Sequence, residues 1–546
     1  MRSIKILLVT IVTIASITSC KKQLDVKNPN QPTPASANTE TGIIALAQGG
    51  VYVNGFRDLK YGDGVFGLFW SGAVGFHEML ADVIGAEAAN SFENQIGDPD
   101  KVILTSGTVL LNPNNPPKWI DFVRLINSNT QQGSNFTYYE WAYMYSMINA
   151  CNSVLDVVET VSFSGNAASK KATIQAWAHW WKGFAYARIG SMYYAGIINN
   201  TAGATNGNYV TKIKIIDESN SELDKTTALL SGITSTADYQ AILGQLIPSF
   251  NQVGKGGILT TDEWKRNINT LKARNILVNT PVAQMTAGQW ASILTLTTTG
   301  IGANDKIFTG RANVTGDFLA SSGGTVSSRI QSAAAGGGGY KLSERWVQDF
   351  KAGDKRYTNN VRQTSAWIGN TDRGQAFNTR FTLINGGAGL AGVKVYADIS
   401  NGGYELYLAG SYDENELMKA EAKIYTGDIQ GGLASVDAVR AYQGAGLAAV
   451  SGTGLTLAQA VVELRRERRV ALPFIGLSFY DARRWGIINP LASGGGRFPA
   501  VVVKIDGSVD PTATIEYNYL DYLDVPDNEI AYNPPVAGSA PTKNPR

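Results

Sequence analysis

The stretch from Glu463 to Gly486, ELRRERRVALPFIGLSFYDARRWG, limits what this chain can fold into more than any other. Leu457, Ala460, Val461 and Leu464 recur at helical spacing, and Thr456 with Gln459 forms a capping box at the start. Arg465, Arg466, Arg468 and Arg469 follow, interleaved with Glu463 and Glu467, until Pro473 stops the helix and Gly476 marks a turn. A second run then mixes Phe479, Tyr480, Asp481, Arg483, Arg484 and Trp485. So basic a segment could serve nucleic acid or phosphate. The carboxylates among the arginines and the apolar flanks favour a structural use. Fork-shaped guanidinium–carboxylate pairs would lock two helices together.

Length and charge narrow the class. A chain of 546 residues can bury a large core as one big domain or several. With 44% hydrophobic and 17% charged residues it reads as an ordinary folded protein. Without residues 1–19, basic and acidic side chains balance at 45 each, so nothing electrostatic points to a nucleic-acid partner. Cys20 and Cys151, with His77 and His179, show no zinc spacing, and no metal or cofactor is expected.

Residues 1–19 combine a basic start (Arg2, Lys5) with an apolar run from Ile6 to Ile17, too short for the ~20 residues that span a bilayer. They read as a signal peptide. Ile17-Thr18-Ser19-Cys20 resembles a bacterial lipobox, which makes Cys20 the acylated residue. Residues 20–38, polar and proline-bearing, read as an extended tether, and residues 39–546 as a single domain.

Within that domain, helices are expected over 39–56, 67–90, 138–160, 171–194, 236–250, 260–276, 286–299, 404–426 and 431–443. Residues 91–136 read as loop. The aromatic stripe Trp177, Trp181 and Phe184 is expected in the core, His77 as a satisfied histidine beside Glu78, and Cys151 as a buried thiol. Ser411 with Glu414 is a further capping box, and Gly427 a helix stop. Residues 300–403 are rich in glycine and serine, with short strands expected at Thr379–Ile384 and Val393–Tyr396. Gly387 to Gly392 fits GxGxxG, but no helix clearly follows, and the match is read as chance.

The Glu463–Gly486 stretch resembles the C-terminal signature of SusD/RagB-like nutrient-binding outer-membrane lipoproteins. Glu467, Arg468, Arg469, Leu472, Phe474, Gly476, Phe479, Asp481, Arg483, Arg484, Trp485 and Gly486 keep the pattern. Ala471 and Ile475 replace two usual glutamates and Ser478 a usual arginine, which implies a thinner ion network. Leu24-Asp25-Val26, the segment ELMKAEAKIYTGD and Tyr522 to Pro534 also resemble the family, so the likeness touches most of the mature chain.

The resemblance implies a mostly α fold of tetratricopeptide-like hairpins, packed with an irregular loop-rich half containing small β elements. It implies a non-enzymatic lipoprotein, anchored in the outer membrane at the cell surface. Such a protein captures a glycan and passes it to a SusC-like TonB-dependent transporter. A peptide ligand, a lid-only partner of the transporter, and a secreted glycoside hydrolase with carboxylates ~5–9.5 Å apart are the alternatives. Sugar rings need flat apolar faces with polar neighbours. Aromatic residues off the helical stripes are therefore the expected ligand contacts: Tyr61, Trp70, Trp119, Tyr340, Trp346 and Trp367, with Arg356 and Asn370 beside them.

Overall fold

Threonine caps set out much of the helical scaffold. In the computed structural model, Thr260, Thr286 and Thr456 each accept from the backbone N–H three residues on, while Glu263, Gln289 and Gln459 reach back. The structure describes residues 37–53, 55–56, 59–60, 66–67, 69–87, 90–311, 326–327, 330, 339–398 and 405–546. The signal segment, Cys20, the tether up to residue 36 and Tyr61 lie outside the described residues.

The longer helices are α1 (Glu40–Leu46), α2 (Val74–Leu80), α3 (Trp119–Ile126), α4 (Phe136–Val158), α5 (Ala167–Met192), α6 (Lys212–Ser231) and α7 (Thr236–Leu246). They continue as α8 (Thr261–Val278), α9 (Ala287–Thr298), α10 (Tyr412–Tyr425), α11 (Ile429–Tyr442), α12 (Leu457–Ala471) and α13 (Ser478–Arg484). Neighbours in sequence pack as hairpins: α4 on α5, α5 on α6, α8 on α9, and α10 on α11, with α12 laid across the last pair. The mostly α, tetratricopeptide-like scaffold is therefore present. Its core is aromatic. Trp177 and Trp181 of α5 meet Trp264 of α8, Tyr52 and Phe308 at centroid distances of 5.3–6.5 Å, mostly tilted or edge-on, as ring quadrupoles prefer. Cys151 is buried there, and burial pushes its thiol up beyond ordinary titration.

Small sheets cover the other half. β1 (Ile84–Ala86) pairs with β4 (Tyr340–Leu342), and β5 (Val361–Trp367) with β6 (Thr379–Leu383). A four-stranded antiparallel sheet has the order β7 (Arg497–Val503), β8 (Val509–Glu516), β2 (Lys101–Ile103), β3 (Val109–Leu111). Thr514 lies opposite Ile103 and Glu516 opposite Lys101, so this sheet joins segments some four hundred residues apart.

Several expectations need correction. The helix expected over 67–90 ends at Leu80, because Asp82 turns the chain with φ at +55°. Its carboxylate holds that turn, accepting from Ser343 Oγ at 2.6 Å and from Arg345 at 2.8 and 2.9 Å. Residues 91–136 contain β2, β3 and α3 instead of loop alone. Val393–Tyr396 forms no strand: Lys394 N–H bonds to Gln443 O, and Tyr396 N–H to Asn360 Oδ1. At Ser411 only half of the capping box forms, since Glu414 is drawn into a two-bond pair with buried Arg274.

The arginine-rich stretch does lock helices. Asp481 accepts from Arg468 of α12 and from Arg484 of its own α13, both at 2.8 Å, and Arg484 forks onto Glu421 of α10 at 2.6 and 2.7 Å. Glu467 binds Arg356 at 2.6 Å and Arg440 of α11 at 2.8 Å. Arg469 pairs with Asp349 and caps the carbonyls of Ala81 and Asp82. The replaced positions carry no ion pair. The Ala471 carbonyl accepts from Lys394 and Gln443, and Ser478 donates to Glu78.

Candidate ligand platform at Trp367

Of the eleven tryptophans, only Trp367 and Trp485 escape full burial. Trp367 ends β5. Two extra residues on that strand, between Gln363 opposite Phe381 and Trp367 opposite Thr379, form a bulge, a device that re-aims a side chain. Phe377 meets the indole edge-on at 5.0 Å, and the Lys341 ammonium lies 4.6 Å from the ring centroid. Lys341 is itself buried and paired with Glu87 at 3.5 Å, so this cation backs the ring from the protein side.

Two glycines make the support possible. A Cβ at Gly85 of β1 would overlap the Phe377 ring, and one at Gly369 would come within 2.6 Å of it and 3.0 Å of Trp367. Gly369 N–H donates to Asn378 Oδ1 at 2.9 Å, and Asn378 Nδ2 donates to Val503 O at 3.0 Å, which ties the hairpin to β7. Asn370, next along, is exposed and makes no side-chain cap bond. Asp372 accepts from Asn94 at 3.0 Å and from Arg373 at 2.7 Å, with its side chain 47% exposed. The result is a preorganised half-buried indole with an unused amide three residues away. Such a ledge can take an apolar face of a ring and bond its hydroxyls.

Of the expected contacts among the described residues, the structure brings Trp367 and Asn370 to this surface. Trp70, Trp119, Tyr340, Trp346 and Arg356 serve the interior, and their expected ligand role is corrected accordingly. Trp119 is fully buried, donating to Ile96 O at 2.8 Å and packed on Tyr519 at 4.6 Å. Trp70 sits between Phe56 and Phe69. Trp346 is buried and donates to Arg469 O at 3.0 Å. Tyr340 is buried with its hydroxyl against Gly75. Arg356 is 1% exposed, with all its nitrogens bonded to Asp354, Gln443 and Glu467.

No family model matches the chain, and no curated protein matches its sequence. Solved structures do. Surface glycan-binding protein A from Bacteroides fluxus is similar at 13% identity, over 93% of this chain and 98% of that one, with a TM-score of 0.56. A SusD-like carbohydrate binding protein from Bacteroides fragilis NCTC 9343 is similar at 14% identity, over 91% and 99%, with a TM-score of 0.55. Another from Bacteroides vulgatus ATCC 8482 is similar at 15% identity, over 92% and 98%, with a TM-score of 0.53. The fold is SusD-like.

In this SusD-like fold the histidines are structural. His77 is fully buried, 2.7 Å from Glu140, and burial holds its pKa below the usual value. Two buried carboxyls titrate high. Burial pushes Glu78 up to about 7 and Asp98 well above the usual range. Glu78 is fully buried and Asp98 is 4% exposed, so neither is presented as a general acid to a bound polymer. Among the described residues no three histidine, cysteine or acidic side chains converge to hold a metal, and no helix is long and apolar enough to cross a membrane.

Proposed function

We propose that the chain is a cell-surface lipoprotein that captures an oligo- or polysaccharide and delivers it to a SusC-like TonB-dependent outer-membrane transporter. Cys20 would carry the acyl anchor. The observation that carries the reading is Trp367: in a protein that buries nearly all its tryptophans, this one is held half-exposed on purpose-built support. The SusD-like carbohydrate binding proteins that share the fold agree with it.

Affinity gel electrophoresis of the protein lacking residues 1–20, through a polysaccharide panel, tests the platform. Retardation by one neutral glycan, abolished in Trp367→Ala with an unchanged melt, is the expected result. Retardation that survives Trp367→Ala would move the ligand elsewhere. No retardation at all would leave the peptide or lid-only alternatives, which pull-down of the transporter from outer membranes separates.

A further inference from the structure

Trp485, the other tryptophan that escapes full burial, lines a cavity of about 730 Å³ between the C-terminal end of α8, the start of α6 and the loops after α13. That volume lies within the ~300–1,000 Å³ of small-molecule sites and exceeds what a bare anion needs. The lining is strongly cationic. Lys212, Arg465, Arg483 and Arg546 all face it, and none of them forms a salt bridge among the described residues. Arg483 is bonded to three carbonyls, of Ser191, Asp521 and Val278, which take up its Nη1 hydrogens and one on Nη2 without cancelling its charge. Arg484 is neutralised by Glu421 and Asp481. Asp521 is the one side-chain carboxylate of the lining, and its Oδ1 already accepts from Tyr522 N–H and Asn544 Nδ2.

Arg465 Nε, Arg546 Nη2 and Trp485 Nε1, in residues of this lining, have no hydrogen-bond partner among the described residues, and each of these three atoms is itself closed off from solvent. The Arg465 guanidinium lies 5.3 Å from the Trp485 ring centroid, so charge and aromatic face are presented together. Lys212 stands 4.0 Å over Tyr522 on the same wall. Gln284 and Ser493 add exposed polar side chains at the rim.

We propose that this cavity is a second ligand site, selective for an acidic saccharide. Arg465, Arg546 and Lys212 hold the carboxylate of a uronic acid residue, with its pyranose ring beside Trp485. The saccharide half of this inference rests on the function proposed above, whereas the anion half stands on the cavity alone.

The test is calorimetry with trigalacturonate and with its fully methyl-esterified, neutral counterpart. Wild-type protein is expected to bind the acid and not the ester. Arg465→Gln and Lys212→Gln should each weaken it by about tenfold or more, the usual scale of a charge-assisted bond. Lys212 is a wall residue off the α12 network, so its variant guards against a folding defect in Arg465→Gln. Trp367→Ala should bind trigalacturonate as wild type does. Equal binding of acid and ester, no binding of trigalacturonate, or full affinity in both charge variants would each overturn the proposal. So would binding of a short peptide through its free α-carboxylate while trigalacturonate fails. If trigalacturonate binds through Arg465 and no neutral glycan is retarded, the Trp367 platform falls and this site stands. The reverse pattern sinks this site alone.

Discussion

Glu78 offers the sharpest test of the electrostatics, because its sign opposes that of ion-paired interior carboxylates such as Glu140. Its Oε1 accepts from Gly476 N–H at 3.0 Å and its Oε2 from Ser478 Oγ at 2.8 Å, with no ion pair. Burial outweighs those bonds and raises its pKa from 4.5 to about 7. Between these values the folded chain keeps a proton that the unfolded chain has released, so stability falls as pH rises through the window. The 2.5-unit gap corresponds to about 3 kcal/mol lost by pH 8, at 1.36 kcal/mol per unit. Glu78→Gln removes the titration. Its Oε1 can keep the Gly476 bond and its Nε2 can donate to Ser478, leaving one amide hydrogen unbonded at a cost of about 1 kcal/mol. The variant should therefore be about 2 kcal/mol more stable than wild type at pH 8 and no better at pH 4.5. Urea midpoints at the two pH values read this directly. Equal destabilisation at both would mean that Glu78 is held as an anion, and the reasoning would fail. Glu140→Gln supplies the contrast. Burial raises its pKa, but Arg188 and His77 more than offset this, so its contribution is present above the ordinary carboxylate value and lost as pH falls through the depressed one.

Other outcomes follow from the same interior. Arg484→Ala strips both Glu421 and Asp481, whereas Arg468→Ala leaves Asp481 with Arg484. The first should cost roughly 3–5 kcal/mol and the second less, by denaturant midpoints, and a reversed order would contradict the network as described. Gly85→Ala should cost about 1–3 kcal/mol by overpacking Phe377 and should weaken glycan retardation. Adding Phe377→Ala should recover part of the stability loss, and strict additivity would show the two are not in contact. In cells, Cys20→Ser should move the full-length protein from the membrane pellet to the soluble fraction, and retention in the pellet would refute acylation at that residue.

The helices legible in the sequence are those with a regular apolar stripe, and at Thr456 the start also carried its own signal. The 20-residue helix α6 escaped notice because Thr211 makes no side-chain cap bond and its sequence, KIKIIDESNSELDKTTALLS, is mostly polar. Strand β2 was equally silent. It pairs locally with β3, but three residues a side make no alternating pattern, and its other partner β8 lies more than four hundred positions away, a pairing that no local pattern encodes. At the site, aromatic residues off helical stripes proved a weak guide. Trp119 heads a helix and Trp346 a short helical turn whose indoles turn inward to backbone carbonyls. Trp367 differs only through a strand bulge and two glycines from separate segments, features of assembly with no local signature. Trp485 was read as part of the ion-pair signature, which gave no hint that its indole borders open space.

The sheet that joins Lys101–Leu111 to Arg497–Glu516 carries a consequence for biogenesis. On the export route proposed above, the chain would thread through a membrane pore from the N-terminus, unfolded. Lys101–Ile103 would then emerge some four hundred residues before its partner Thr514–Glu516. Until then β2 and β3 stand as an exposed strand pair beside Val109 and Leu111, apolar residues that remain exposed even in the finished protein. On that route, closure of this sheet would wait on the arrival of Thr514–Glu516, and the waiting strand pair would call for a holdase on the far side of the membrane.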